Sequence, residues 1–240
     1  MIRSNDCCTG DGVECDENTG HVISLDLSNS FLYGSINSSS SLFQLVHLQK
    51  LNLSFNNFNH SEIPIGVRRL SKLTHLDLSY SSLYGSINSS SSLFQLVYLQ
   101  KLNLSFNNFN HSEIPIGVRR LSKLTQLDLA YSRFSGEIPS EILQLSKLVS
   151  LVLYSNPLKL HKPGLRSIAE KLTNLEELVL SEVDISSTVP STLANLSSLT
   201  TIFLRDCGLH GEFPTGIFQL PNLKSLCALK SKTHWSCTRC

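Results

Sequence analysis

Three carboxylates, Asp26, Asp77 and Asp128, recur at intervals of 51 residues, each in the setting Leu-Asp-Leu. Two such groups facing each other could act as general acid and base. Their spacing instead repeats a longer pattern and puts them two segments apart, about 10 Å at the usual strand separation. Eight histidines are scattered along the chain, and His60 and His111 fill a turn position that holds glycine elsewhere. Cys237 and Cys240, with His234 nearby, supply half of a tetrahedral zinc site, and the chain offers no second C-x-x-C to complete it. No nucleotide-binding loop, H-E-x-x-H or G-x-S-x-G motif occurs. The chain reads as non-enzymatic and without a cofactor.

The remaining chemistry lies in recognition groups. Phe55, Tyr80, Phe106 and Tyr131 recur at one position relative to a leucine pair, and Val152, Val179 and Phe203 stand between such leucines, with Tyr154 beside them. Rigid aromatics in a row suit the anchoring of a partner. Phe55 and Phe106 could alternatively fold inward as a spine. Val152, Val179 and Phe203 read as three exposed apolar residues in line, a candidate contact patch. Seven N-x-[ST] acceptors occur, at Asn37, Asn52, Asn59, Asn88, Asn103, Asn110 and Asn195, a density that suits a glycosylated, secreted surface. Asn52 and Asn103 point outward between strand leucines. Glycans there would obstruct the face, and unmodified polar residues are the equal alternative.

These residues must be held by something regular, and the leucines show what it is. The 240 residues include 43 leucines and 39 serines, and the hydrophobic share is 41%, ample for a packed core. The phrase L-x-x-L-x-L recurs every 24 to 27 residues, with its L-x-L core at Leu25/Leu27, Leu51/Leu53, Leu76/Leu78, Leu102/Leu104, Leu127/Leu129, Leu151/Leu153, Leu178/Leu180 and Ile202/Leu204. Eight phrases in register signal a solenoid. Period 2 makes each a short strand with leucines inward. Three residues on stand Asn56, Asn107, Asn156, Ser30, Ser81, Ser132 or Cys207, polar groups able to bond unpaired backbone and form a ladder. Val183 cannot, so the seventh coil is expected to be its weakest rung. Cys207 reads as a small buried polar residue, with a bridge as the alternative. The Gly-x-Ile-Pro variants that follow, such as Gly136–Pro139, open a short helical stretch that closes each coil. A ninth strand is expected to fail, because Ala228 stands where its second core leucine belongs. Residues 25–75 and 76–126 are near-copies that differ only at Asn29/Tyr80, Phe31/Ser82, His47/Tyr98 and His75/Gln126. Net charge of +1 provides no basic field for nucleic acid. No run of about 18 apolar residues suits a membrane helix.

The phrase L-x-x-L-x-L-x-x-N-x-L-x-G-x-I-P resembles the plant-type extracellular leucine-rich repeat, in the wording of plant leucine-rich-repeat receptor-like proteins. Asp6–Asp16, Cys207–Pro214 and Ile217–Pro221 are also similar to phrases of that group, and the likeness covers about residues 6 to 226. The resemblance implies an α/β solenoid, a horseshoe or superhelix with a parallel sheet on its concave face and short helical or 3-10 segments on its convex face. It divides the chain into a partial cap at 1–21, eight to nine repeats at 22–229 and a divergent tail at 230–240. It implies a Cys8–Cys15 disulfide, with Cys7 left free because its partner would lie in a helical segment that is not in this sequence. By the same resemblance the chain is a truncated ectodomain of an immune-type receptor. Such a receptor binds a protein, peptide or glycan on its concave face, signals through a co-receptor or adaptor kinase, and sits at the extracellular face of the plasma membrane. A secreted inhibitor resembling polygalacturonase-inhibiting proteins, or a product without autonomous function, is the alternative.

Overall fold

The structure, a computed structural model, describes residues 7–228. Its main feature is a ten-stranded sheet. The first strand, β1 (Val13–Cys15), runs antiparallel to β2 (Val22–Asp26). Eight parallel strands follow: β3 (Lys50–Asn52), β4 (His75–Asp77), β5 (Lys101–Asn103), β6 (Gln126–Asp128), β8 (Ser150–Val152), β10 (Glu177–Val179), β11 (Thr201–Phe203) and β12 (Ser225–Cys227). Leucine faces leucine at each step, from Leu25 opposite Leu51 through Leu127 opposite Leu151 to Ile202 opposite Leu226. No three-residue strand can bury its own leucine, but the next coil covers it. Along the other edge β7 (Gly136–Glu137) pairs with β9 (Leu158–Lys159), and single bridges such as Tyr84 to Asn108 continue a second, broken parallel row.

Most coils return through a 3-10 turn, such as Ile65–Arg69 and Ser191–Asn195, and the sixth uses the short helix α1 (Gly164–Lys171). Phe58, Phe109 and Phe134 form the inward aromatic spine, with Phe109 and Phe134 stacked at 5.1 Å. The Gly85 turn needs glycine on two counts: its φ is +121°, and a Cβ would lie 2.7 Å from Glu62 Cγ.

The expected failure of the ninth strand does not occur. β12 holds full register on β11, and Leu226 is buried. Backbone pairing needs no second leucine, and Ala228 packs against the core from a partly buried position. At the other end β1 covers β2, and Cys8 is bridged to Cys15. Cys7 is exposed and unbridged. The 230–240 tail, with Cys237, Cys240 and His234, lies outside the described residues.

The polar ladder is present. Asn107 donates from Nδ2 to Leu78 O of the preceding coil and Leu104 O of its own, while its Oδ1 accepts from Leu83 N. Asn56 and Asn156 repeat the scheme, and the Ser81 and Ser132 hydroxyls donate to the corresponding carbonyls of the preceding coil. Cys207 is a rung, not a bridge. Its Sγ donates to Leu180 O at 3.1 Å, and burial pushes the thiol up to about 12, which keeps the proton in place. Val183 is fully buried and adds no side-chain bond, yet the coil is not left short. Leu158 N, which an asparagine at 183 would have accepted, already donates to Asn156 O at 2.7 Å.

Asn107→Ala leaves the Leu83 N–H and the Leu78 carbonyl without their side-chain partner, and two such losses cost about 2–4 kcal/mol. Denaturant unfolding monitored by circular dichroism reads this directly. A loss within error of zero would remove the ladder as a source of stability.

Candidate functional site

Curvature turns the outward strand residues into a concave groove of about 1150 Å³. Four columns run along it, because each strand repeats the one before it in register. The outermost begins Lys50, His75, Lys101, Gln126 and reaches Glu177. Next come Asp26, Asn52, Asp77, Asn103 and Asp128, then Val152, Val179 and Phe203. The third is serine-rich, with Ala130 and Tyr154 in its middle. The fourth, where the chain leaves the strand, holds Phe55, Tyr80, Phe106 and Tyr131.

In the second column each amide ties down the carboxylate before it. Asn52 Nδ2 donates to Asp26 Oδ2 and Asn103 Nδ2 to Asp77 Oδ2, both at 3.2 Å. Ser28 and Asn52 donate to Asp26 and hold its carboxyl below the ordinary range. Asp128 behaves oppositely. Burial pushes its carboxyl up; the Ala130 N–H pulls it back, and Glu177 and Asp77 add to the rise. Burial, with Lys101 and Lys50 nearby, lowers His75. Asp26 and Asp77 are thus each bonded to the amide of the next strand, whereas Asp128, followed by Val152, accepts from the Ala130 N–H of its own coil.

Val152 and Val179 do not stand free as expected. They are only 9% and 7% exposed, packed with Ala130 between half-buried Tyr154 and Phe203. Adjacent strands bring these branched side chains into contact, so they form the floor of an apolar shelf, and only Tyr154 and Phe203 offer surface. The aromatic column resolves the other way. Phe55, Tyr80 and Tyr131 are 55%, 41% and 48% exposed, and the inward spine is formed by other phenylalanines. The four rings stack on one another, and Tyr154 meets Tyr131 edge-on at 5.3 Å. The column of Lys50, His75 and Lys101 carries no motif that marks it in the sequence, although period 2 places those residues outward as surely as it places the aspartates.

The sequons divide. Asn52 and Asn103 spend Nδ2, the atom a glycan would take, on an aspartate. Their Oδ1 accepts from Ser54 and Ser105 of their own sequons, as Asn37 and Asn88 Oδ1 accept from Ser39 and Ser90, so it is the Nδ2 bond that sets the strand sites apart. Asn37, Asn59, Asn88, Asn110 and Asn195 are exposed. Cys7, Cys8 and Cys15 lie close enough to share an ion, but two of the three sulfurs are joined in the disulfide, and one thiol makes no metal centre.

Mass spectrometry of the chain expressed through a plant secretory pathway is expected to find Asn52 and Asn103 bare and glycans on the exposed sequons; occupied strand sites would contradict the bonding above. Asp128→Asn is expected to raise the thermal midpoint at neutral pH, since Asn52 and Asn103 already fill this column and accept the same backbone bond. An acid raised in the folded state costs stability above its folded pKa and none below the ordinary 3.8. The gain should therefore fade as pH falls toward that value; a gain independent of pH would assign it to another cause.

The leucine-rich repeat family matches residues 47–70, 98–121 and 123–145. Receptor-like protein 6 of Arabidopsis thaliana is 43% identical over 162 residues, covering 65% of this chain and 16% of that protein. Receptor-like protein Cf-9 of Solanum pimpinellifolium is 36% identical over 225 residues, covering 93% of this chain and 20% of that protein. The chain thus spans roughly a sixth to a fifth of the length of these two relatives. Among solved structures, the Arabidopsis receptor kinase HAESA, in complex with the peptide hormone IDA and the co-receptor SERK1, superposes with a TM-score of 0.79 at 32% identity, covering 90% of this chain and 35% of that one. Taken with the parallel solenoid, the ladder and the cap disulfide, these likenesses place the chain in the family of plant leucine-rich-repeat receptor-like proteins.

Proposed function

We propose that this chain is a non-enzymatic recognition module of a plant cell-surface receptor of the disease-resistance type, binding its ligand on the concave face. The observation that carries this reading is the composition of that face. A bonded polar half, with Lys50 and Lys101 exposed beside it, passes into an apolar shelf of Ala130, Val152 and Val179 rimmed by Tyr154 and Phe203. A face that served only to close the fold would not need rings standing half out of it, and exposed apolar surface on a rigid scaffold is what partners use. Solved relatives support the class of ligand: HAESA is bound to a peptide hormone and a co-receptor, and RGFR1 is in complex with RGF2. By that analogy the receptor to which this module belongs works with a co-receptor or adaptor kinase, at the extracellular face of the plasma membrane. Among the described residues no helix is long and apolar enough to cross a membrane.

The test is selection of a display library of random linear peptides on the immobilised chain. Enriched peptides are expected to lose about tenfold or more in affinity for Tyr154→Asp and Phe203→Asp, with circular dichroism unchanged because both side chains rim the shelf and neither lies in the leucine core. If no peptide is enriched, or if binding ignores every concave substitution, the reading fails.

A further inference from the structure

The Phe55–Tyr80–Phe106–Tyr131 column is more than an exposed patch, because its backbone argues against aromatic residues. All four sit at positive φ, between +49° and +56°, a region that bulky side chains rarely adopt. The other coils build the same turn from residues that suit it better or cost no more: Asn29, Ser155, Glu182 and Asp206, at φ +50° to +67°. The fold therefore does not call for rings here. Its four near-copy differences include Asn29/Tyr80, and Tyr80 is the ring that joins Phe55 to Phe106. An asparagine at 80 would leave a gap in the middle of the stack.

The way the rings stack limits what they can bind. Centroids lie 4.5, 3.9 and 4.7 Å apart with interplanar angles of 10°, 13° and 20°. Both faces of Tyr80 and both faces of Phe106 are covered by neighbours. A cation needs the electron-rich face of a ring, and a sugar packs its C–H groups on the same face. What remains outward along the stack is a row of ring edges, which are electropositive, with one face of Phe55 open at the Asn29 end. Beside them are the Tyr80 and Tyr131 hydroxyls, which make no hydrogen bond among the described residues. The carboxylates of Asp26 and Asp77, two columns away, accept from Ser28, Asn52, Ser79 and Asn103 and belong to the polar part of the face, not to the ring edge. Electropositive edges and free phenol donors are complementary to carbonyl oxygens, presented in series along a narrow line. The three ring spacings together span about four residues of extended chain at roughly 3.3 Å each, so that alternate residues, about 6.6 Å apart, turn their carbonyls to the edge.

We infer that this stack is the docking edge for an extended polypeptide segment of the ligand, lying along the solenoid axis with its backbone carbonyls against the ring edges and the two tyrosine hydroxyls. The inference rests on the concave-face reading above and narrows its ligand to polypeptide, excluding face-on packing of sugars and cation–π docking of lysine or arginine on the sandwiched Tyr80 and Phe106 rings. The stack meets the apolar shelf where Tyr131 abuts Tyr154, so one segment could reach both.

The experiment uses the full chain, the peptides selected above, and cellohexaose and chitohexaose as sugar probes, read by surface plasmon resonance. Tyr80→Asn restores the residue of the first copy at a turn that accepts it, so its thermal midpoint should match the wild type. Peptide affinity is expected to fall about tenfold in Tyr80→Asn. In Tyr80→Phe, which keeps the stack and loses one donor, it should fall about threefold. Neither sugar is expected to bind at this edge. Peptides that ignore Tyr80→Asn yet are lost in Phe203→Asp would overturn the inference and leave the proposed function standing. Enrichment of lysine- and arginine-rich peptides dependent on Tyr80 would overturn it, as would a sugar response abolished by Tyr80→Asn. An unfolded Tyr80→Asn would contradict the claim that the turn does not need a ring; Tyr131→Ser, which copies the residue that Ser155 supplies at the next turn, then measures binding instead.

Discussion

A three-residue strand carries one inward leucine and has nothing of its own to cover it. Everything else in this molecule follows from that deficit. The only available cover is the leucine of the next coil, at about 4.8 Å, so coils must stack in parallel and in register. A slip of one residue would put Leu51 outward and Lys50 inward. Once register is enforced on the inner face, the outer face inherits it. Asp26, Asn52, Asp77, Asn103 and Asp128 line up because the leucines beside them do. The ordered concave face is thus a by-product of core packing, with outward positions free to change residue type while the leucines keep the register.

Stacking leaves a second problem where the chain leaves each strand and turns back, since its carbonyls and amides would otherwise be buried without partners. The ladder answers it in two ways. An asparagine both donates to carbonyls and accepts an amide, whereas serine or Cys207 donates only. In the doubled segment the two kinds alternate as Ser30, Asn56, Ser81 and Asn107, and Ser132 continues the order. The donors that serine cannot accept are taken up from the other side: Leu83 N goes to Asn107 and Phe134 N to Asn156. At Val183 the backbone solves the problem by itself, through Leu158 N to Asn156 O. A missing rung in the residue pattern is therefore not a missing bond.

The eight L-x-L strands and their inward faces could be read from residues, because period 2 and the repeat interval are local signals, and the cap disulfide came with the family likeness; the ninth parallel strand, the antiparallel β1 and the β7/β9 pair could not. What could not be read depended on neighbours in space. Val152 and Val179 look exposed by alternation, but alternation says only which side of the sheet a residue takes. Their burial comes from contact with each other and with Ala130 across strands. Asn52 and Asn103 look like free acceptors until the aspartate of the preceding coil is placed beside them. Ala228 suggests a failed strand only if a second leucine is required, whereas the hydrogen-bonded register of Leu226 and Cys227 is sufficient. Phe55 could point either way until the turn placed it at positive φ, which swings the side chain off the core and over the adjacent coil.

Duplication of two coils as a unit lengthens the concave face without altering its curvature, and it copies every surface residue along with the core. The copy is therefore a poor recogniser at first, a face that repeats itself every second coil. Distinctness has to come from changes at outward positions, and only those that join existing features create something larger than one residue. Phe31/Ser82 and His47/Tyr98 lie away from the strand columns. His75/Gln126 alters the outermost column at its fourth member. Asn29/Tyr80 differs in kind, because a ring at 80 touches Phe55 on one side and Phe106 on the other. It converts aromatic residues two coils apart into one continuous surface. Its backbone cost is one non-glycine residue at positive φ, of order 1–3 kcal/mol, which asparagine at the same turn would largely avoid. Stacking on two rings at about 0.5–1.5 kcal/mol each offsets much of that cost. A tyrosine here is thus close to neutral for the fold, and its consequence falls on the surface.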